Sequence, residues 1–469
     1  MSKMWSGRFR EPLDEQFELW QRSFPFDCRL FPFEVRASIA HARTLAAAEL
    51  LSASECEQIC HGLTALRGLE DHAPGTLDGH TASARQAEDI HHFVELELSR
   101  HIGDLALKLH TGRSRNEQIA TDMRLFVREA IDSTLDGLRR WALALIQLAD
   151  QAEEAVMPSY THLQRAEPVL VAHWLLAYVS MLERDASRLR DARRRMNFCP
   201  LGSGAVAGAT LALDRTIAAR ELGFSAPTDN SIDATSDRDF ALEFTQALTA
   251  LGLHISRFAE ELTIYASREF GFIDLPEAFA TGSSAMPQKK NPDLTELLRG
   301  KSARLFGASA SLTMLLKGLP LAYNKDLQEG QEPVFDAADT IAGMLKILPR
   351  FTAALRLRFD RLASAACSGY LNAMAAATYL AQRGVPFRMA HEIVGHAVRL
   401  AIASGRELDA LTLEELRALS PDFGDDFYAA ITIEATLDCH DVHGGTARHR
   451  VQAALVSARE RWISQEAGA

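Results

Sequence analysis

The stretch Thr281–Asp293, TGSSAMPQKKNPD, holds the densest set of groups able to do chemistry: two serines, two lysines and an asparagine behind Gly282, ahead of a strongly helical run. Asn291-Pro292 reads as a helix start, with Asn as the N-cap and Pro at the first helical position. A Gly-Ser loop that feeds a helix N-terminus offers free N–H groups and the positive end of the helix dipole, and both favour an anion. Lys289 and Lys290 add positive charge beside hydroxyls that become proton carriers when desolvated. The same residue types also occur in ordinary surface loops ahead of a capped helix, so composition alone leaves both readings open.

Three further loops are polar, marked by Gly or Pro, and set at the ends of long proline-free runs. His110–Asn116, HTGRSRN, opens the first of these runs. Ser114 and Glu117 read as a capping box, which accounts for Ser114. Arg113, Arg115 and Asn116 cap nothing and form a carboxylate-binding group, because a guanidinium pairs bidentately with a carboxylate and an amide donates to one. Ser159–Gln164, SYTHLQ, lies between the first and second runs. His162 within it titrates nearest neutral pH among side chains and is the natural proton carrier. The third loop, Leu319–Pro333, contains YNKDLQ at 323–328, which by composition is a charged connector.

The elements that position these loops are helices. Proline-free runs with apolar residues three or four apart cover Ser114–Asp150, Val169–Met196, Asp239–Phe270, Leu294–Leu316 and Val334–Leu348. Five long helices joined by Gly/Pro-rich loops predict an elongated bundle. Leu242, Phe244, Leu248, Leu251, Leu253 and Ile255 surround much of their helix, which predicts burial on several sides and a helical core shared between subunits. Before the bundle, residues 1–35 read as irregular because Pro12, Pro25 and Pro32 interrupt them. Arg36–Leu51, Ser54–Leu69 (with a Ser54–Glu57 capping box) and Glu88–Ile102 read as shorter helices. After it, Cys367–Arg383, Met389–Ala403 and Leu413–Leu419 read as short helices. No alternating strand series is long enough for a central sheet. The expectation is an all-α chain of three helical domains: residues 1–112, a central bundle over 113–362, and 363–469.

The 469 residues can bury large cores. A net charge of −12 argues against nucleic acid, whose binders carry basic stripes. The six cysteines are scattered without paired spacing, and Cys56 and Cys60, four apart, lack a partner pair for zinc. No signal core and no uninterrupted apolar stretch of roughly 18 residues is present, so a soluble cytoplasmic protein is expected.

GSSAMPQKKNP at 282–292 resembles the GSSxMPxKxNP signature of the fumarase/aspartase superfamily at every fixed position. HTGRSRN and THLQ are similar to its other two conserved regions, in order and spacing. Gln288 and Lys290, together with RSFPFD at 22–27, WSGRF at 5–9, PLGSGAVAG ending at Gly208, SDRDFALEF at 236–244, YNKDLQE at 323–329 and GVPFRMAHEIVG at 384–395, are similar to the argininosuccinate lyase branch. The similarity runs from Trp5 to about Val451.

That resemblance implies an anti-elimination splitting argininosuccinate into L-arginine and fumarate, with no cofactor and no metal, in a cytoplasmic homotetramer whose active sites draw the three motif regions from three subunits. It implies Ser283 as the base and His162 as the group assisting the departing guanidine, oriented by Glu296. Lys289 and Asn291 would stabilise the dianionic aci-carboxylate. Thr161, Ser114, Arg115 and Asn116 would hold the fumarate half; Ser23, Arg238, Tyr323 and Gln328 would contact the arginine half. Competing readings are another lyase of the superfamily, such as adenylosuccinate lyase, and a catalytically silent structural protein of the same fold. MPQKKNP and YNKDLQ speak against the first, and intact Ser283, His162, Lys289 and Glu296 against the second. The branch usually continues YNKDLQEDKEP, with a substrate-contacting lysine; Gly330 and Gln331 replace its DK pair here. Loss of that charge is expected to affect substrate affinity and not the reaction type.

Overall fold

The computed structural model describes residues 11–67 and 82–464. Over them the chain is built from helices, with strands confined to four two-stranded ladders. The WSGRF string at 5–9 lies outside the described residues.

Short helices at Glu15–Trp20 and Phe24–Asp27, in the stretch expected to be irregular, precede α1 (Phe31–Ala47), α2 (Ala53–Leu66) and α3 (Ile90–Ile102). Two of the three prolines expected to interrupt this region start helices instead, while Pro12 lies in irregular chain. Pro25 and Pro32 sit in the first turns of Phe24–Asp27 and α1, where a missing N–H costs nothing. The capping box of α2 is Ser52–Glu55 and not Ser54–Glu57. The Ser52 hydroxyl accepts the Glu55 N–H at 3.2 Å, and the Glu55 carboxylate accepts the Ser52 N–H at 2.9 Å.

The long proline-free runs form α4 (Arg115–Gln151), β-hairpin strands β1 (Val156–Thr161) and β2 (Gln164–Leu170), then α5 (Val171–Met196), α6 (Asp239–Ala266), α7 (Asp293–Leu316) and α8 (Gln331–Ala354). At 37 residues, α4 is about 55 Å long. The hairpin escapes the periodicity reading because Pro158 and Pro168 interrupt both of its strands. Helix α8 runs past Leu348 and carries Pro349 in its interior. The C-terminal third forms α9 (Phe359–Ala366), α10 (Ala373–Gln382), α11 (Phe387–Ser404), α12 (Leu413–Leu419) and α13 (Arg448–Ser464). The helix expected over Cys367–Arg383 starts only at Ala373, because Gly369 and Tyr370 adopt left-handed backbone angles.

The chain divides into two compact units. Residues up to Ser133, Arg188–Thr249 and Arg304–Thr340 form one; Thr134–Ser187, Ala250–Ala303 and residues from Ile341 onward form the other. In the first, Phe31 packs on Phe93 (6.0 Å between ring centroids), Phe33 on Phe126 (5.9 Å) and Phe126 on Phe335 (4.9 Å), fastening α1 and α3 to α4 and α8. In the second, Trp141 of α4 lies edge-on to Phe258 of α6 (5.5 Å), and its indole N–H donates to the Thr352 hydroxyl of α8 at 3.1 Å. Leu380, Leu408, Phe423 and Phe427 centre a further apolar cluster among the C-terminal helices.

Gly137 lies buried in α4, and a Cβ there would stand 2.9 Å from the Leu345 Cβ of α8. A glycine inside a helix forfeits about 1 kcal/mol relative to alanine, so the close approach of the two helices is what requires it. Gly137→Ala is therefore expected to destabilise by about 1–3 kcal/mol through overpacking, despite its better helix propensity. A melting temperature equal to or above wild type would show that the helices do not need this contact.

Candidate active site

The Thr281–Asp293 loop is closed by a short antiparallel ladder pairing Thr281 with Asn291 and Gly282 with Lys290. The pairing draws Asn291 into extended backbone, so α7 starts at Asp293 and Asn291 is not its N-cap. The Asn291 amide points to the Gly282 carbonyl at 3.5 Å, while the Asp293 carboxylate accepts from the Thr281 N–H at 3.1 Å. Inside the loop, the Ser283 hydroxyl oxygen accepts the N–H groups of Ala285 (3.2 Å) and Met286 (3.1 Å). Two backbone dipoles aimed at one oxygen stabilise negative charge on it. The two lysines differ: Lys290 is tied to Asp274 at 2.9 Å, whereas Lys289 has no ion-pair partner among the described residues. Glu296, in the first turn of α7, is exposed and 3.8 Å from Arg299.

His162 and Leu163 form the two-residue connection of the hairpin, with φ of +55° and +57°. Two successive positive φ values match a type I′ turn, which ordinarily takes Asn-Gly. Neither residue is favoured there, and such conformations cost of order 1–3 kcal/mol each. The backbone therefore presents His162 at the tip under strain, with its side chain exposed and Thr161 exposed beside it. Among the described residues the imidazole makes no hydrogen bond, to Glu296 or to Ser283. The strands behind it are anchored. Arg165 donates to the Ala365 carbonyl (3.2 Å) and the Ser368 hydroxyl (3.0 Å), and Tyr160 packs on Phe270 at 5.5 Å.

The remaining site residues lie in the other unit. Ser114 opens α4 much as expected: its N–H donates to the Glu117 carboxylate at 3.0 Å, and its hydroxyl accepts the Asn116 N–H at 3.3 Å. Glu117 also accepts the Gly204 N–H at 3.0 Å, and the Asn116 amide donates to the Ala205 carbonyl at 3.2 Å, so the PLGSGAVAG loop is stitched to this motif. Gly204 must be glycine: its φ is +61°, and a Cβ would meet the Gly208 carbonyl oxygen at 2.7 Å. Arg115 pairs with Asp89 at 2.9 Å. Arg113 departs from the expectation of an anion ligand. It turns inward, donating to the Ser38 hydroxyl at 2.8 Å and lying 3.9 Å from Glu34.

Ser23, Arg238, Tyr323 and Gln328 are all buried or half-buried in this unit. The Ser23 hydroxyl donates to Asp27 at 2.6 Å, and Gln328 donates to the Gln21 carbonyl at 3.1 Å. Arg238 donates to the Asp237 carbonyl at 2.7 Å and keeps a buried Nη2 without a partner. Burial pushes its pKa down to about 10 and that of Tyr323 up to about 12. The Arg238 charge opposes the rise at Tyr323, and the charges of Asp89, Asp27 and Glu88 add to it. Gln331 is buried with its carbonyl oxygen unpartnered, and Gly330 faces Leu312 and Leu315.

Beneath the first motif lies a buried polar cluster. Glu34 accepts from His91 (2.7 Å), Ser38 (2.6 Å) and Gln118 (3.1 Å), and His91 is 3.7 Å from Asp122. Burial would raise the Glu34 carboxyl, but His91 and Arg113 outweigh it and hold Glu34 at about 2. Burial and the Glu34 charge push Asp122 well above the ordinary carboxylate range. Burial lowers the His91 imidazole, yet Glu34 prevails and raises it. Glu34, His91 and Asp122 offer metal-binding atom types within 4.8 Å of one another. Arg113, 3.9 Å from Glu34, places a fixed positive charge beside them.

Residues 7–307 match the lyase family model and residues 370–438 the argininosuccinate lyase C-terminal model. The chain is 64% identical to an argininosuccinate lyase of Acidobacterium capsulatum, over 98% of this chain and 94% of that protein. It is 55% identical to one from Koribacter versatilis, over 98% of each. Among solved structures, an EDDS lyase in complex with formate superposes with a TM-score of 0.80 at 25% identity, covering 94% of this chain and 88% of that one. A class II fumarase from Schistosoma mansoni shares the fold, with a TM-score of 0.71 at 15% identity over 86% and 90% of the two chains.

Asp122 gives the cluster a pH signature. A carboxyl that keeps its proton above its unfolded pKa of about 3.9 makes folding take up a proton, so stability falls as pH rises above that value. The raised His91 acts in the same direction above about 6.5. The lowered His41 and His110 act oppositely below about pH 6.5 in any variant, so the expected signature is a difference: Asp122→Asn gains melting temperature relative to wild type as pH rises from 5 to 8. An unchanged slope in the variant would mean that Asp122 is ionised in the folded protein.

Proposed function

Since the chain belongs to the argininosuccinate lyase family of the fumarase/aspartase superfamily, we propose that Ser283 is the base and His162 the acid of its reaction. That reaction is the reversible elimination of argininosuccinate to L-arginine and fumarate, a carbon–nitrogen lyase step of arginine biosynthesis.

The proton removed lies on the carbon beside a carboxylate and is very weakly acidic. Its loss requires an activated base and a site for the dianionic aci-carboxylate that forms. The observation that carries the assignment is the pair of N–H groups converging on the Ser283 oxygen, which favours its ionised form. Lys289, left without an ion-pair partner while Lys290 is engaged by Asp274, is the cation available to the developing dianion. Asn291 supports the same charge. Collapse of that intermediate breaks the bond to the guanidine nitrogen, and His162 donates the proton that the leaving L-arginine takes. Glu296 orients His162. Arg115, Asn116, Ser114 and Thr161 hold the fumarate half, while Ser23, Arg238, Tyr323 and Gln328 hold the arginine half beside the acidic Asp27, Glu88 and Asp89.

We also infer a cytoplasmic homotetramer with sites shared between subunits and no cofactor. Support comes from apolar side chains left exposed on the long helices, among them Leu253, Leu297, Phe306 and Met314, a pattern that marks surfaces made for association. Exposure of His162 and of the 281–290 loop within one chain is consistent with completion by neighbours. None of the described helices is long and apolar enough to cross a membrane. The three-domain division at residues 112 and 362 stays a proposal, supported for its last part by the apolar cluster of residues 375–431.

Following fumarate absorbance with argininosuccinate as substrate, Ser283→Ala and His162→Asn are each expected to lower turnover by about 10²–10⁴, the usual contribution of a positioned acid or base, with the assembly intact. Near wild-type turnover in either variant would remove that residue from its role.

A further inference from the structure

We infer that Ser159 is a positioning residue for the proton carrier at the hairpin tip, an inference that rests on the role proposed above for His162. Strand β1 pairs Pro158 with Pro168 and then Tyr160 with Arg165, so the register slips between them and Ser159 alone faces Ala166 and Glu167. This is a β-bulge, where the ladder of backbone hydrogen bonds is locally broken. The opposed prolines remove two further donors at the same place. The Ser159 side chain replaces what is missing. Its hydroxyl donates to the Glu167 carbonyl at 2.7 Å and accepts the Glu167 N–H at 3.1 Å, so one side chain satisfies both backbone groups of the residue opposite.

His162 lies three residues beyond this stitch, at a turn whose two residues both hold disfavoured positive φ. A strained tip persists only if the strands leading to it are fixed. On the β2 side that task falls to Arg165, bonded to Ala365 and Ser368; on the β1 side the described hydrogen bonds leave it to Ser159 and the ladder above it. Without the hydroxyl, Glu167 loses a partner for both backbone groups, the bulge can slide, and the imidazole loses its aim. Small misplacements of a reacting group cost up to about 10²-fold in rate.

The test is a double-mutant cycle on the intact enzyme, read by fumarate release. Ser159→Ala is expected to lower kcat about 10- to 100-fold with KM within about twofold. Ser159→Thr, which keeps the hydroxyl, should recover most of the rate. In a His162→Asn background, Ser159→Ala should cost nothing further, because the two residues act as one unit. Additive losses, or equal losses in the Ala and Thr variants, would overturn the inference even where His162→Asn is inactive. Wild-type turnover in His162→Asn alone would instead overturn the assignment of His162 on which the inference rests.

Discussion

Compensation of buried charge around Glu34 is the constraint on which the first motif depends. A carboxylate with almost no exposure is tolerable only when paired and hydrogen-bonded, and Glu34 receives donors from α1, α3 and α4 at once. Arg113 is drawn inward by Ser38 and Glu34, while Ser114, Arg115 and Asn116 stay half-buried at the start of α4. Two buried carboxylates, Glu34 and Asp89, thus divide the neighbouring arginines between them. Removing a single partner would leave the others buried and unpaired, so the arrangement holds as a set or fails as one.

The second unit presents its residues differently. Ser283, Lys289, Thr161 and His162 are carried on a loop and a hairpin, and their precision comes from backbone geometry. A two-pair ladder closes the loop and two N–H groups converge on Ser283; a bulge and a strained turn aim the hairpin. Such devices hold a backbone but leave the Thr161, His162 and Lys289 side chains exposed, with only Ser283 half-buried. The imidazole and Glu296, proposed to act together, make no bond to each other in one copy.

Much of this was legible in the sequence, for physical reasons. Proline-free runs with three-to-four spacing gave the long helices almost to their ends, because that period directly reflects burial on a helix face. The motif strings carried the family, since few sequences place those residue types in that order. What escaped depended on pairing between distant or opposed segments. The hairpin is hidden by prolines that interrupt its alternation, and Asn291 has the sequence context of a cap because its ladder with Thr281 leaves no local trace. Pro25 and Pro32 looked like breakers, although in a first turn they start helices. The inward course of Arg113 depends on Ser38 and Glu34, some 75 residues away, and no local pattern reports it.

The central claim is that loops from different copies of the chain complete each active site. It is tested most directly by mixing two inactive variants, His162→Asn and Ser283→Ala, unfolding them together and measuring fumarate release after reassembly. Recovered activity is predicted, because some sites in mixed assemblies then receive an intact histidine loop from one chain and an intact serine loop from another. Mixed assemblies verified by mass that show no activity would contradict the account and return both residues to a single chain.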